Sequence, residues 1–466
     1  MSSFSPPADP GVRASALRDL LVGRHKIAAA VVGAGKSGKA AHSLLRALGA
    51  TVMMLDDKPD SGTPITEETL ERADLVVLSP GVPRSRPELA RSIFRGVLIG
   101  EIELGAWFVD APLVGITGTN GKSTTTALIA HLLAADGKRV FAGGNLGKPL
   151  CELALDRVKG RNPVDIAVVE LSSYQLESIV LAQFLVTAWL NLTPDHTDRY
   201  PSFEHYGRAK RRILERRTID GTAVLNANDP VVAGHGLELG GRKRWFAADA
   251  DHELARKNGT QADASGTAIR TADVVETYDL INPKLVGEHN RANMAAAIEC
   301  ARLAGASFAS VQAGLRSFGG LPHRIEVVGR ARGATWYNDS KATNVDSALI
   351  AVRAIKGPKI IIAGGRDKGA PWDPLVELAR PDLRAVLAVG EATPIVMKAF
   401  AGASPIVEDL GTVERAVARA AELAQPGDHV LLSPACASLD QFTNYEARGD
   451  LFRRLVQDLE TKEAQK

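Results

Sequence analysis

The sequence predicts an α/β protein of three domains, each built on a mainly parallel sheet. Three observations predict it. The chain has 466 residues, against roughly 150 for a typical domain. Short apolar, β-branched runs alternate with amphipathic helical segments along its length, as strands do when helices cross between them. Its 43 glycines and 24 prolines are scattered without a period, which implies many tight turns and excludes a collagen-like fibre.

In chain order, strands are expected at Ile27–Val32, Thr51–Leu55, Leu75–Leu78, Leu113–Ile116, Ile166–Val169, Ala223–Leu225, Lys359–Ala363, Ala385–Val389 and His429–Leu432. One sheet rarely extends over such a length, so the run is divided into three. The first boundary is expected before Pro112. The second is expected near Gly319-Gly320-Leu321-Pro322, where a helical run from Ser307 to Phe318 stops. The resulting domains are 1–110, 111–320 and 321–466.

Composition excludes several classes of function. Lys and Arg total 56 against 54 Asp and Glu, so no overall field recruits nucleic acid or an acidic membrane. Cys151, Cys300 and Cys436 are far apart, which argues against a disulfide framework or a structural zinc site and for a reducing compartment. The opening MSSFSPPADP has neither a basic nor an apolar region, so no signal peptide is expected. The apolar stretch Ile179–Leu192 is too short to span a bilayer. A cytoplasmic protein, working as a monomer without membrane insertion, is expected.

Two glycine loops carry the chemistry. The strand Ile27–Val32 runs into Gly33-Ala-Gly35-Lys-Ser37-Gly38 and then a helix, with Asp56 and Asp57 after the next strand. Glycines there let the backbone approach a pyrophosphate at a helix N-terminus, as in Rossmann-like domains. By itself the loop leaves open whether the ligand is NAD or another nucleotide. The strand Leu113–Ile116 leads into Thr117-Gly118-Thr119-Asn120-Gly121-Lys122-Ser123 and a helix from Thr124. In this P-loop-like segment Lys122 would reach the β/γ-phosphates, Ser123 would ligate Mg²⁺ and backbone N–H groups would cradle the anion. It departs from the usual spacing, because Ile116 stands where the first glycine belongs. A dehydrogenase has no use for the second loop, and a simple ATPase has none for the first.

Further residues follow from position. Glu170 ends an apolar strand about fifty residues after the phosphate loop, where an acidic Mg²⁺ ligand belongs. In the helix containing Tyr206 to Leu214, Phe203, Tyr206, Lys210, Ile213 and Leu214 share one face, while Arg208, Arg211 and Arg212 are expected to point away. Lys210 thus falls in the apolar stripe, where its pKa should drop. In the last domain four strand ends carry Asp339/Lys341/Thr343, Gly364 to Lys368, Gly390-Glu391 and Ser433 to Leu439. Open parallel sheets bind ligands at such ends.

Gly118-Thr-Asn-Gly-Lys-Ser123, Glu170-Leu-Ser-Ser-Tyr-Gln-Leu-Glu177, Asp195-His-Thr-Asp-Arg-Tyr200, Gly287-Glu-His-Asn290 with Asn293, and Leu321-Pro-His-Arg324 together resemble the Mur ligases. These are ATP-dependent amide-forming enzymes of peptidoglycan assembly. Tyr337 to Asn344 and Leu432 to Phe442 are similar to the D-glutamate-adding branch of that family. Tyr445 stands where that branch often has Phe.

The resemblance implies ATP, two Mg²⁺ ions, UDP-N-acetylmuramoyl-L-alanine and D-glutamate as the ligands. It places Gly118, Thr119, Asn120, Gly121, Lys122, Ser123 and Thr124 on ATP phosphates, and Asn290, Asn293, Arg324 and Asp339 at its nucleotide end. Ser37, Gly38, Asp56, Asp57, Gly81, Asn145 and Gln175 would bind the UDP-substrate, and Thr343, Lys368, Ser438, Leu439 and Tyr445 the D-glutamate. Ser123, Glu170, His196 and a carbamylated Lys210 would hold the metals. Lys122, Lys210, His196 and Lys341 form the implied catalytic set, with Lys341 near the phosphates. The rival readings are a Mur-type ligase with another acceptor, a nucleotide-binding scaffold without chemistry, and an NAD dehydrogenase.

Overall fold

The computed structural model describes residues 9–58, 62–145, 147–196, 199–282, 285 and 287–465. The first eight residues, which include most of the opening MSSFSPPADP, lie outside them, as do Leu146, Thr197, Asp198 and Lys466. The described residues form three α/β domains on three sheets. They divide into two units, one holding residues up to Ile281 with His289–Phe318, the other Asn282–Glu288 with Gly319–Lys466.

The first unit begins with a four-stranded sheet. Its strands are β1 (Ala28–Val32), β2 (Thr51–Leu55), β3 (Leu75–Leu78) and β4 (Leu98–Gly100). They pair in the order β2-β1-β3-β4, all parallel. β3 is buried throughout and β1 nearly so, as strands covered on both faces should be.

The same unit holds nine more strands: β5 (Leu113–Thr117), β6 (Val140–Gly144), β7 (Ile166–Glu170), β8 (Phe184–Trp189), β9 (Arg217–Asn226), β10 (Lys243–Ala247), β11 (Gly259–Ala262), β12 (Thr267–Arg270) and β13 (Glu276–Asp279). Their order is β13-β12-β11-β10-β9-β8-β5-β7-β6, parallel from β6 to β11 and antiparallel at β12 and β13. β8 is the apolar stretch considered above for a membrane span; it lies in the sheet interior between β5 and β9. No helix of the described residues is long and apolar enough to cross a membrane.

The two sheets of this unit are joined through a carboxylate. Glu103 is fully buried, and accepts the N–H groups of Val180, Leu181 and Ala182 at 2.7–3.0 Å and the Trp107 indole at 2.6 Å.

The second unit holds β14 (Glu326–Ala331), β15 (Ala334–Asn338), β16 (Lys359–Gly364), β17 (Leu383–Val389), β18 (Ile406–Gly411) and β19 (His429–Leu432), in the order β14-β15-β19-β16-β17-β18. All neighbours are parallel except β14 with β15. The carboxyl ends of β15, β19, β16 and β17 therefore lie side by side on one edge.

Candidate functional site

Most of the longer helices begin with a polar side chain closing the first turn: Asp9, Ser202, Asp229, Ser307, Asn344, Thr412 and Asn444 all accept from a first-turn N–H. The helices after the two glycine loops do not. Lys36–Ala47 starts from Gly35 and Lys122–Ala135 from Gly121, with no side-chain cap and no acidic residue in either first turn. Their amide donors and the positive end of each helix dipole are left for an anion. The second helix begins two residues earlier than its expected start at Thr124, because Gly121 takes φ +82° and so turns the loop at once.

The first loop needs its glycines for contact. At Gly38 a Cβ would collide with the Gly33 carbonyl. Asp56 accepts the Ala34 N–H at 2.6 Å and the Lys58 N–H at 3.0 Å. These backbone donors hold its carboxyl below the usual carboxylate range. Asp57 pairs with Arg86. Ser37 is half-buried and Gly81 exposed, after the end of β3. Lys36 donates to Gly147 O at 2.5 Å, drawing this loop towards the one that carries Asn145.

Around the second loop, the ends of β5, β6, β7 and β8 converge. Glu170 is buried at the end of β7. Its Oε1 accepts from Asn145 Nδ2 at 2.8 Å, and its Oε2 is buried with no hydrogen-bond partner. A buried, unpaired carboxylate oxygen is costly in a finished site and fits one that receives a cation. Ser123 is buried at the second position of the loop's helix. Among the described residues no three His, Cys, Asp or Glu side chains form a ready-made metal cage. Gln175 lends Oε1 to the Ser172 N–H at 2.9 Å, while its buried Nε2 is unpartnered. It lines a small cavity of about 10 Å³ with Ser79, Pro80, Glu101 and Arg199.

Lys122 is half-buried and folds back onto its own loop, donating to Gly118 O and Thr119 O at 2.8 Å. Lys210 is buried, donates to Gly118 O at 2.8 Å, and lies 4.7 Å from the Tyr206 ring centre. Burial, and then the charge of Lys122, push its ammonium well below the ordinary lysine range. The helical face is as read, with one correction. Arg212 does not point away into solvent; it donates to Leu176 O and Ile179 O at 2.8 Å, satisfying the carbonyls of a neighbouring turn. His196 adopts φ +55°, and its Nδ1 lies 2.7 Å from the Tyr174 hydroxyl. Asn290 and Asn293 are buried and joined at 3.2 Å; Asn293 Oδ1 accepts from Thr125 and fills the space where a Cβ on Gly121 would go.

In the second unit, Asp339 is buried beyond β15, accepting from Ser433 Oγ at 2.8 Å and Ile325 N at 3.2 Å. Burial pushes its carboxyl up to about 7, against the opposing charge of Arg324. Lys341 sits 5.9 Å from the Tyr445 ring centre. The loops after β16 and β19 are stitched by paired bonds between Arg366 and Ala437. They bring the loop of exposed Lys368 beside that of buried Ser438 and exposed Leu439. Thr343 is half-buried.

Two residues with evident roles escaped the sequence reading. Arg448 is buried and donates to Ser340 Oγ, Ser340 O and Cys436 O at 2.9–3.1 Å, bracing the loops after β15 and β19. Asn191, past the end of β8, holds the phosphate loop through Asn120. Dividing the apolar stretch at Gln183 would have revealed β8, and with it a residue at a strand end beside the loop.

Two family models match the chain: one described as the Mur ligase middle domain over residues 116–301, and one described as the Mur ligase glutamate ligase domain over residues 323–436. Among curated proteins, the UDP-N-acetylmuramoylalanine--D-glutamate ligase of Myxococcus xanthus is 45% identical over 92% of this chain and 98% of its own. That of Anaeromyxobacter dehalogenans is 45% identical over 91% of this chain and 96% of its own. Among solved structures, a pseudomurein peptide ligase type C from Methanothermus fervidus superimposes with a TM-score of 0.59 at 19% identity, covering 93% of this chain and all of the other. UDP-N-acetylmuramate-alanine ligase MurC from Thermotoga maritima does so with 0.57 at 17%, covering 93% and 99%. At such identities the structural likeness speaks for the fold alone.

Proposed function

The chain belongs to the Mur ligases, and from that premise we propose that it joins D-glutamate to UDP-N-acetylmuramoyl-L-alanine with conversion of ATP to ADP and phosphate. The observation that carries this reading is the uncapped helix at Gly121–Lys122 facing a buried Glu170 with one unpaired oxygen, set in a chain that matches D-glutamate ligases over nearly its whole length.

A carboxylate is a poor electrophile, and phosphorylation gives it a leaving group. The substrate's terminal carboxylate oxygen attacks the γ-phosphorus, the bond to the β-phosphate oxygen breaks, and ADP leaves. The amine of D-glutamate then attacks the acyl carbon, expelling phosphate and losing a proton. Lys122 moves from its loop carbonyls to the transferring phosphoryl group, and the first-turn amides hold the phosphates. Ser123 and Glu170 would hold Mg²⁺, with His196 and a carbamylated Lys210 holding a second. Bound Mg²⁺ supplies charge neutralisation where two anions meet. Lys210 is suited to carbamylation because its buried amine is readily neutral and can add CO₂, releasing a proton.

Within the first unit we assign Ser37, Gly38, Asp56, Asp57, Gly81, Asn145 and Gln175 to the UDP-substrate. Gln175 Nε2 is the clearest unoccupied donor among them. Within the second we assign Thr343, Lys368, Ser438, Leu439 and Tyr445 to D-glutamate. The domains carrying these roles are 1–110, 111–320 and 321–466, working as a cytoplasmic monomer. The test is ADP release from the full chain with an amino-acid panel. Release that needs both UDP-N-acetylmuramoyl-L-alanine and D-glutamate supports the reading. Preference for another amino acid, or release without either substrate, overturns it.

A further inference from the structure

The phosphate loop is held by a residue outside it. Asn191 lies two residues beyond the end of β8. Its Oδ1 accepts the Asn120 N–H at 2.8 Å, and its Nδ2 donates to the Asn120 carbonyl at 3.1 Å. Its own carbonyl accepts the Thr119 N–H at 3.1 Å. One step along, the Thr193 N–H donates to Thr119 Oγ1 at 3.1 Å. On the near side Gly118, at φ +158°, lies so close that an added Cβ would stand 3.0 Å from Leu190 Cβ and 3.3 Å from Asn191 N. Residues 190–193 thus run beside the loop and hydrogen-bond to it like a strand, although neither segment belongs to one.

The loop needs such a partner. Gly118 and Gly121 both take positive φ and, lacking side chains, impose no conformation of their own. Binding a phosphate to a loop that must first be ordered loses affinity by the cost of ordering it. A carboxamide is the one short side chain with a donor and an acceptor side by side, so it can engage both main-chain groups of one residue.

We propose that Asn191 is a positioning residue for nucleotide binding, locking Asn120 so that the amides from Gly121 to Ser123 are preset towards the phosphates. The inference rests on assigning ATP phosphates to this loop. Asn191→Asp is the sharp probe: it keeps the shape and the acceptor for Asn120 N–H, but sets a second acceptor against the Asn120 carbonyl. Asn191→Ala, which only removes the clamp and lets water reach both groups, guards against a folding failure.

Calorimetric titration of ADP with Mg²⁺ into the full chain should show affinity reduced at least tenfold in Asn191→Asp and less in Asn191→Ala. The KM for ATP should rise in step, with affinity for UDP-N-acetylmuramoyl-L-alanine within twofold of wild type. ADP affinity within twofold of wild type in both variants would overturn the proposal. So would equal losses for ADP and the UDP-substrate accompanied by a lower Tm, which would mark general structural damage. Failure of the wild-type chain to bind ADP would instead remove the phosphate-loop reading beneath it.

Discussion

Lys122 and Lys210 donate to the same acceptor, the carbonyl oxygen of Gly118, each at 2.8 Å. Lys210 is buried, which disfavours its charged form, and the ammonium of Lys122 on the same oxygen repels it further. Its folded pKa therefore lies below the unfolded value of about 10.4. Between those two values the unfolded chain binds the extra proton, so this residue's destabilising effect lessens as pH rises through that window. The neutral amine that results is what carbamylation requires. We expect Lys210→Arg to be inactive despite keeping a cation, and stripping CO₂ and bicarbonate from the wild type to lower its rate reversibly. An active Lys210→Arg enzyme would rule out the carbamate.

Lys122→Ala should lower kcat by roughly 10²–10³-fold, the usual effect of removing one preorganised charge from a transition state. UDP-substrate affinity should be unchanged, because Lys122 belongs to the second glycine loop, where it donates to Gly118 O and Thr119 O. Steady-state kinetics paired with direct binding would separate the two effects, and turnover near wild type would exclude the phosphoryl-transfer role.

D-Glutamine should be a poor acceptor. Replacing a carboxylate oxygen by NH₂ removes both the charge and an acceptor from a site assigned to Lys368, Thr343 and Ser438. A charge-assisted hydrogen bond left unmade costs about 3 kcal/mol, so kcat/KM should fall roughly 100-fold. Equal kcat/KM for the two acceptors would refute the assignment.

Asp339 makes acid–base behaviour readable in the second unit. Its folded pKa of about 7 lies above the unfolded value near 3.9. The folded state then holds the extra proton between those values. Its stabilising effect is complete below about pH 4 and is lost as pH rises through about 7. Asp339→Asn should flatten the dependence of Tm on pH between 4 and 7; an unchanged slope would mean that the carboxyl is ionised throughout.

Glu103→Ala leaves four donors, the Val180, Leu181 and Ala182 amides and the Trp107 indole, without their acceptor. With each such loss worth about 1–3 kcal/mol, destabilisation should reach about 3 kcal/mol or more in urea unfolding. A change below about 1 kcal/mol would show that water replaces the carboxylate.

Some elements could not be read locally. β12 resists a sequence reading because its pattern is inverted: Ile269 is exposed while Arg270 is buried. Arg270 is held there by Glu299 and Glu276, and Glu299 comes from a helix far along the chain. Arg212 was misjudged for a similar reason. Helical periodicity says which way a side chain leaves its helix, but not which unsatisfied carbonyls stand within reach.

Short-range physics settles what the sequence alone determines here. Buried parallel strands must be short apolar runs, glycines must stand where backbone turns through positive φ, and a lysine in an apolar stripe must be buried. The three-domain α/β architecture, the two glycine loops that open into helices and the burial of Lys210 follow from those rules. The tertiary structure decided what depends on residues distant in sequence. It set Asn191 against Asn120, across 71 positions, and Arg448 against Ser340, across 108. It also left Glu170 with one oxygen bonded and one bare. A hydrogen bond between remote segments leaves no periodic trace in the chain, because it depends on where sheet order places two strand ends, and only the folded packing fixes that order.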